Sequence, residues 1–419
     1  MDPVANRLIV YPLSIPLRHR VAHAASQRAI TDPVVVGVEL RNGTLGHGET
    51  LPREYVTGET VESVLSAIEA VFVPAVLAFH PHSFPEALEA IEGLPWVDST
   101  GRSVAAARAA VELALLDASL QFYGRDFDAV VQWMGLAGFG SPGSIDRLRF
   151  SGVLACDDTA KTLRQLRRMY WGGLRHFKLK VGTEGDRERI ERVVHYLRRP
   201  LARGKASLRV DANGTWTVEQ LVEWLSATAH LSIDAIEQPL PRGQESELPR
   251  LAVGQSAAPH PECPRGDDAP SSVASSPAGR CFVHDESLCT IEDARRLLDL
   301  GVADIFNIRI SKCGGLLPSL RLAALARREN VDIQLGCMVG ETSILSAAGL
   351  RFLQVCPGVR WAEGCFGSFL LADDIVAKPL RFGYGGRPPR LPSLPGLGVR
   401  VDTDRLRLLS SHLSTVFNL

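Results

Sequence analysis

Two lysines, Lys178 and Lys180, stand one residue apart in Phe177-Lys178-Leu179-Lys180-Val181-Gly182. Charged and apolar residues alternate up to a glycine, which reads as the end of a β-strand. A period of two sends both ammonium groups to one face. Neighbouring ammonium groups repel, which lowers the pKa of at least one, and a lysine tuned in this way can act as a base near neutral pH. Alone, the hexapeptide reads as an exposed half-polar edge strand, the ordinary place for lysine. Further along, Val210-Asp211-Ala212-Asn213-Gly214, Ile236-Glu237-Gln238-Pro239 and His284-Asp285-Glu286-Ser287 each close an apolar run with an acid, and Ser311-Lys312-Cys313-Gly314-Gly315 brings another lysine. Each acid alone is more often a helix cap or a salt-bridge partner. In order, at successive strand ends, they point to one site. Three converging carboxylates repel unless a cation sits between them. Oxygen ligands suit a hard divalent ion, and Mg²⁺ keeps positions open for substrate or water. Such an ion can bind a substrate carboxylate and stabilise the charge of an enolate. Lysines on opposite faces can then remove and return a proton on the carbon beside that carboxylate.

The elements that must position these residues follow from periodicity. Candidate strands lie at 148–155, 176–181, 207–211, 235–237, 281–285, 303–307, 332–335 and 358–362, with helical stretches between most of them. Strands alternating with helices argue for a (β/α) barrel, whose active site lies at the C-terminal ends of the strands. Before the barrel, residues 1 to about 50 read as an antiparallel meander, with a hairpin turn at Arg41-Asn42-Gly43. Two polar loops interrupt that region. One is Leu17-Arg18-His19-Arg20-Val21-Ala22-His23 and the other is Pro52-Arg53-Glu54-Tyr55-Val56-Thr57-Gly58-Glu59. From Glu59 to about Gly135 the period is helical. The alanine-rich run 103–118 predicts close packing against a neighbour, with Asp117 pairing with a basic group or capping local packing. Proline, serine and small residues dominate 240–280, and 254–279 reads as a flexible insertion. The expected units are an N-terminal α+β cap over 1–135, joined by 375–419, and a barrel over 146–374.

Composition is that of an ordinary soluble globular chain: 419 residues, 45% hydrophobic and 22% charged. A formal net charge of −1 gives no electrostatic case for nucleic acid or an anionic membrane. No apolar run is long enough to span a bilayer, and Met1-Asp2-Pro3 opens no signal peptide. Eight scattered cysteines without a Cys-x-x-Cys pair read as free thiols in a reducing cytoplasm.

Taken together, Lys178-Leu179-Lys180, Asp211-Ala212-Asn213, Glu237-Gln238-Pro239, Asp285-Glu286-Ser287 and Lys312 before Gly314-Gly315 resemble the enolase superfamily, and within it the muconate lactonizing enzyme subgroup. The resemblance extends to Gly48-Glu49 and Glu112-Leu113-Ala114-Leu115-Leu116-Asp117 in the cap, and to Pro395-Gly396-Leu397-Gly398-Val399 near the C-terminus. It implies an α/β fold, a modified (β/α)7β TIM-type barrel with an N-terminal α+β capping domain. It implies Asp211, Glu237 and Asp285 as ligands of Mg²⁺, with Mn²⁺ as a substitute. Lys180 and Lys312 match the family's acid/base pair, and Lys178 the lysine that helps hold the substrate carboxylate or enolate. The two N-terminal loops, with Arg20 and Tyr55, and Glu363 on the last strand are the expected substrate contacts. Two features depart from the pattern. The 254–279 insertion is unusual, and Trp361-Ala362-Glu363-Gly364 carries one acid where dipeptide epimerases of the subgroup commonly carry an Asp-x-Asp pair for the substrate ammonium. Glu341, in the seventh-strand region, is either a helix N-terminal acid or a substrate contact.

The leading expectation is a cytoplasmic, homo-oligomeric enzyme that abstracts the α-proton of a small carboxylate, a racemase or epimerase of an amino-acid derivative or dipeptide-like acid. A muconate-type cycloisomerase or an o-succinylbenzoate synthase-type dehydratase is the alternative. A Schiff-base lyase would use one lysine but leaves three acids unexplained. A non-catalytic binding protein leaves all five key positions intact without a use.

Overall fold

A computed structural model of the protein describes residues 3–23, 26–183, 185–248, 280–392, 394–411 and 414–419; the side chains of 20–27 are not described. The 254–279 insertion lies outside these residues. Among the described residues, no helix is long and apolar enough to cross a membrane.

The N-terminal unit is built on strands β1 (Ala5–Pro12), β2 (Ile15–His23), β3 (Ser26–Thr31), β4 (Val34–Leu40) and β5 (Leu45–Thr50). It differs from a simple meander. β1 pairs antiparallel with β4, β4 with β5, and β2 with β3 forms a separate two-stranded ribbon. The stretch 17–23, expected as a loop, is therefore strand, paired in a ribbon apart from the main sheet. The turn between β4 and β5 is at Asn42 and Gly43, with Gly43 at φ 86°, a conformation glycine adopts without steric cost.

The helix Ala105–Tyr123 is buried through most of its length. Its alanines allow β5 to approach backbone to backbone. A Cβ on Gly48 would lie 1.9 Å from the Ala110 carbonyl oxygen, and one on Gly46 2.3 Å from that of Ala114. Asp117 on this helix gathers the backbone N–H groups of His47 (2.9 Å) and Leu397 (2.7 Å) and the Gln121 amide (3.0 Å). It thus binds helix, sheet and C-terminal segment together.

The second sheet contains β6 (Gly152–Leu154), β7 (His176–Lys180), β8 (Ser207–Asp211), β9 (Ala235–Glu237), β10 (Cys281–His284), β11 (Ile305–Ile308), β12 (Asp332–Leu335) and β13 (Val359–Ala362). They pair in chain order, all parallel. A parallel bridge from Phe150 to Ala362, with Ser151 N–H donating to Ala362 O at 2.8 Å, closes the ring between β6 and β13. Helices on the outside start at clear caps. Asp158 accepts from Lys161 N–H, and Thr217 and Thr290 make capping boxes. Strand β14 (Thr415–Asn418) returns to pair antiparallel with β1. Among the described residues, Cys156, Cys289, Cys313, Cys337, Cys356 and Cys365 are free thiols.

Candidate active site

The strands bring the chemically active residues to one end of the barrel. Lys180 is level with Asp211 on the next strand, and Asp211 with Glu237 on the one after. Asp285 directly follows β10, and Lys312 lies in the turn after β11. The turn after Asp211 uses Asn213 at φ 50° and Gly214 at φ 66°. Gln238, at φ 37°, is a residue rarely found there. Four hydrogen bonds hold it. Its Oε1 accepts from the N–H groups of Asp285 (3.0 Å) and Ser287 (3.1 Å), and its Nε2 donates to Leu240 O (2.8 Å) and Ser287 Oγ (2.7 Å). A strained backbone fixed this firmly sets the two acidic strand ends relative to one another.

Lys178 is almost fully buried and faces three carboxylates: Glu363 at 2.6 Å, Glu237 at 3.0 Å and Asp211 at 3.3 Å. Burial alone would lower its pKa, but Glu237, Glu363 and Asp211 outweigh burial and hold it well above the usual lysine value. The repulsion expected between the two lysines thus does not lower Lys178. Lys180 donates to Asp211 Oδ2 (2.6 Å) and Asn213 Oδ1 (2.8 Å). Lys312, fully buried, donates to the carbonyl oxygen of Asp285 and to its Oδ1 at 2.8 Å. Burial opposes its charge, and Asp285 raises its pKa nonetheless. Asp211 and Asp285 are held below the carboxylate range despite burial, Asp211 by Lys180 and Lys178, Asp285 by Arg309 and Lys312.

Sequence reading missed several members of this cluster. Arg309, on the turn after β11, pairs with Asp285 and lies 3.6 Å from Glu237. Arg209, two residues before Asp211 and so on the same strand face, pairs with Glu363 at 2.8 Å. Asn307 and Gln334 donate to the two oxygens of Glu237 at 3.1 and 3.0 Å. Alternation would have found Arg209 and Asn307, since each points inward with the strand-end residue beside it. Of the expected substrate contacts, Glu363 is tied on both oxygens to Lys178 and Arg209 and is 4% exposed. Tyr55 is on the short helix Glu54–Thr57, largely exposed and near enough to Arg309 to influence its charge. The Arg20 side chain lies outside the described residues. Glu341 does not cap the following helix: its Oε1 accepts from Met338 N–H at 2.6 Å, and burial pushes its carboxyl up to about 8.

The donor set fits a hard divalent cation by type and by place. Burial pushes the Glu237 carboxyl up to about 7 against the pull of Lys178, and the charges of Asp211, Glu363 and Asp285 add to the rise. Glu286 is likewise raised to about 7, by burial and then by Asp285, and its Oε2 has no hydrogen-bond partner. Two buried carboxyls are thus raised and one Glu286 oxygen has no partner, an oxygen-rich setting that suits a divalent ion. As the side chains lie, the acids close on lysine and arginine, and among the described residues no three of His, Cys, Asp and Glu surround a single point ready to hold an ion.

A family model, that of the enolase C-terminal domain-like proteins, matches residues 161–261 and 267–405, more than half of the chain. The chain belongs to the enolase superfamily. Its relatives within the superfamily are isomerases. The L-Lys-D/L-Arg epimerase of Methylococcus capsulatus is 30% identical over 93% of this chain and 96% of the relative. Muconate cycloisomerase 1-2 of Acinetobacter lwoffii is 28% identical over 97% of this chain and 94% of the relative. The N-succinyl-L-Arg/Lys racemase of Bacillus cereus is 26% identical over 96% of each chain. The crystal structure of that racemase superposes with a TM-score of 0.78, covering 99% of this chain and all of the other, at 23% identity. This superfamily member is accordingly an enzyme, with the barrel and cap of its relatives.

Proposed function

We propose that this enzyme moves the α-proton of a small carboxylate, as a racemase or epimerase of an amino-acid derivative. The observation that carries the reading is the placing of Lys180 and Lys312. In a closed ring of eight strands, β7 and β11 are four steps apart in either direction, so the two ammonium groups face one another across the mouth. Asp211, Glu237 and Asp285 are the residues that would hold Mg²⁺, or Mn²⁺ in its place. When bound, the ion supplies positive charge against the substrate carboxylate and so makes the adjacent C–H bond more acidic.

The residues of the chain do the rest. Lys178 holds a substrate carboxylate oxygen. One lysine, having lost its proton, takes the α-proton; the C–H electron pair moves into the carboxylate. The other lysine, still protonated, delivers its proton to the opposite face of the same carbon, which inverts it. Residues 1–135 with 375–419 act as the cap that closes over the mouth, with Tyr55 reaching the bound acid. Substrates with cationic side chains fit the names of the epimerase and racemase relatives. Similarity to the muconate cycloisomerase supports a second reading, in which one lysine moves the proton and the other steadies charge; a dehydratase of the o-succinylbenzoate synthase type would use the pair the same way.

The test is α-proton exchange in D2O over a panel of N-acyl amino acids, dipeptides and muconates. Incorporation of deuterium at the α-carbon of both stereoisomers of an amino-acid derivative is the expected result. Lactone formation from muconate without such exchange would replace it with the second reading.

A further inference from the structure

The last barrel strand was expected to present its acid to the substrate. Instead, Glu363 is closed on two buried cations. Its Oε2 lies 2.6 Å from Lys178 Nζ and its Oε1 accepts from Arg209 Nη2 at 2.8 Å. Arg209 is fully buried inside the ring, level with Lys178 on the adjacent strand. Its guanidinium lies over the Trp361 ring at 4.5 Å, and Nη2 also donates to Ser151 Oγ at 3.2 Å. Nη2 alone makes these bonds, since Nε and Nη1 have no hydrogen-bond partner; full burial and stacking on Trp361 hold the guanidinium in place. The chain of contacts runs Trp361, Arg209, Glu363, Lys178, and ends on the lysine that faces Asp211 and Glu237. Each oxygen of Glu363 is paired with a buried cation and the residue is 4% exposed, so its charge is already answered from within the barrel.

We infer that Glu363 is a positioning residue: anchored by Arg209, it fixes the Lys178 ammonium at the mouth and does not bind the substrate. The inference rests on the proposed proton-transfer reading for its kinetic arm. It also bears on substrate class, because the last strand offers no acid to a substrate α-ammonium, and acids whose nitrogen is acylated are the better fit.

The probes are N-succinyl-L-arginine and L-lysyl-L-arginine, which share a side chain but differ in carrying an α-ammonium. With Mg²⁺ present, Glu363→Gln is expected to lower kcat/KM for both by a similar factor, roughly 100-fold, the cost of displacing a reacting group by about 1 Å. KM should rise for both, because Lys178 holds the carboxylate. Adding Glu363→Gln to Lys178→Arg should bring no comparable further loss, since the two act as one unit. Arg209→Lys should reproduce a part of the effect, and Glu363→Asp serves if the glutamine variant folds poorly. Crystal structures of the parent and of Glu363→Gln give a readout free of turnover: the Lys178 Nζ should shift. A loss confined to L-lysyl-L-arginine would make Glu363 a substrate contact and overturn the inference. So would a lower Tm with kcat and KM unchanged, or a Lys178 Nζ that stays in place. If the parent exchanges the proton of neither probe, the amino-acid reading falls, while the crystal comparison still decides the role of Glu363.

Discussion

Lys178 and Lys180 share one carboxylate oxygen, Asp211 Oδ2, at 3.3 and 2.6 Å, yet they are buried unequally: the Lys178 side chain is 3% exposed and that of Lys180 17%. Lys178 has three carboxylate partners, whereas Lys180 has one carboxylate and an amide. Of the two, Lys180 is the less enclosed and the less tied to carboxylates.

Lys180→Ala is accordingly expected to stop α-proton exchange for one stereoisomer and Lys312→Ala for the other. Each loss should be on the order of 100- to 10,000-fold, the usual worth of a positioned general base. Exchange measured by mass spectrometry in D2O on separate enantiomers reads this directly. Exchange of both enantiomers surviving in either variant would eliminate the two-base scheme.

Asp211→Asn, Glu237→Gln and Asp285→Asn are each expected to weaken Mn²⁺ binding by roughly 100-fold or more, since even groups that only orient metal ligands cost up to that much. Calorimetric titration of Mn²⁺ into dialysed protein measures it without need of a substrate. Chelation should also abolish turnover, restored by Mg²⁺. Undiminished turnover in chelator would remove the metal from the reading.

The helix Ala105–Tyr123 gives a pH prediction away from the mouth. Glu112 is fully buried, accepts from Leu317 N–H at 2.8 Å, and leaves Oε2 without a partner. Burial pushes its carboxyl up from 4.5 to about 7. Between those values the unfolded chain has released the proton and the folded chain keeps it, so stability falls as pH rises and is level above about 7. Glu112→Gln should remove this share of the slope, on the order of 2–3 kcal/mol across the window. Buried His47 and His176, both lowered to about 4 by burial, work in the opposite sense below pH 6.5. Denaturant melts of the parent and variant at pH 5 and pH 8 compare the two; equal differences at both pH values would show Glu112 titrating normally.

Gly48→Ala is expected to destabilise the fold by about 1–3 kcal/mol, the usual cost of forcing atoms into a filled core. Its Cβ would meet the Ala110 carbonyl oxygen at 1.9 Å and the Ala114 nitrogen at 2.6 Å, both backbone atoms of a buried helix that cannot turn aside. Gly43→Ala is the contrast. No atom stands within 4 Å of its Cβ, so any loss there comes from the φ of 86° alone. Thermal unfolding of both variants separates crowding from backbone strain.

Much of this architecture is legible in the chain because a barrel strand is short and ends in a turn. The runs at 207–211, 235–237 and 332–335 agree with the observed strands residue for residue, and the first two end in the acids Asp211 and Glu237. Partnership is what periodicity does not encode. Arg209 pairs with Glu363 across the ring closure, and Arg309 with Asp285 at the end of the neighbouring strand. The same holds for Glu49. It reads as the end of a cap strand, yet it accepts from Thr342 N–H (2.8 Å), Thr342 Oγ1 (2.7 Å) and Leu345 N–H (2.9 Å) at the start of the helix Ser343–Val355. The 17–23 stretch misled because polar residues dominate it, so its sequence carries no regular apolar and polar alternation.

The backbone contact of β5 with the alanine helix has a mechanical consequence. Where glycine meets alanine there is no side-chain layer to slide or repack, so β5 is clamped like the fixed end of a lever. Tyr55 lies five residues beyond Thr50, the last residue of that strand, and Arg53 is pinned on the way by Asp32 at 2.8 Å and by Pro52 O at 2.8 Å. At about 3.5 Å per extended residue, the stretch past Arg53 gives the ring only a short radius of travel. Tyr55 is thereby held close to Arg53 and to the fixed strand behind it.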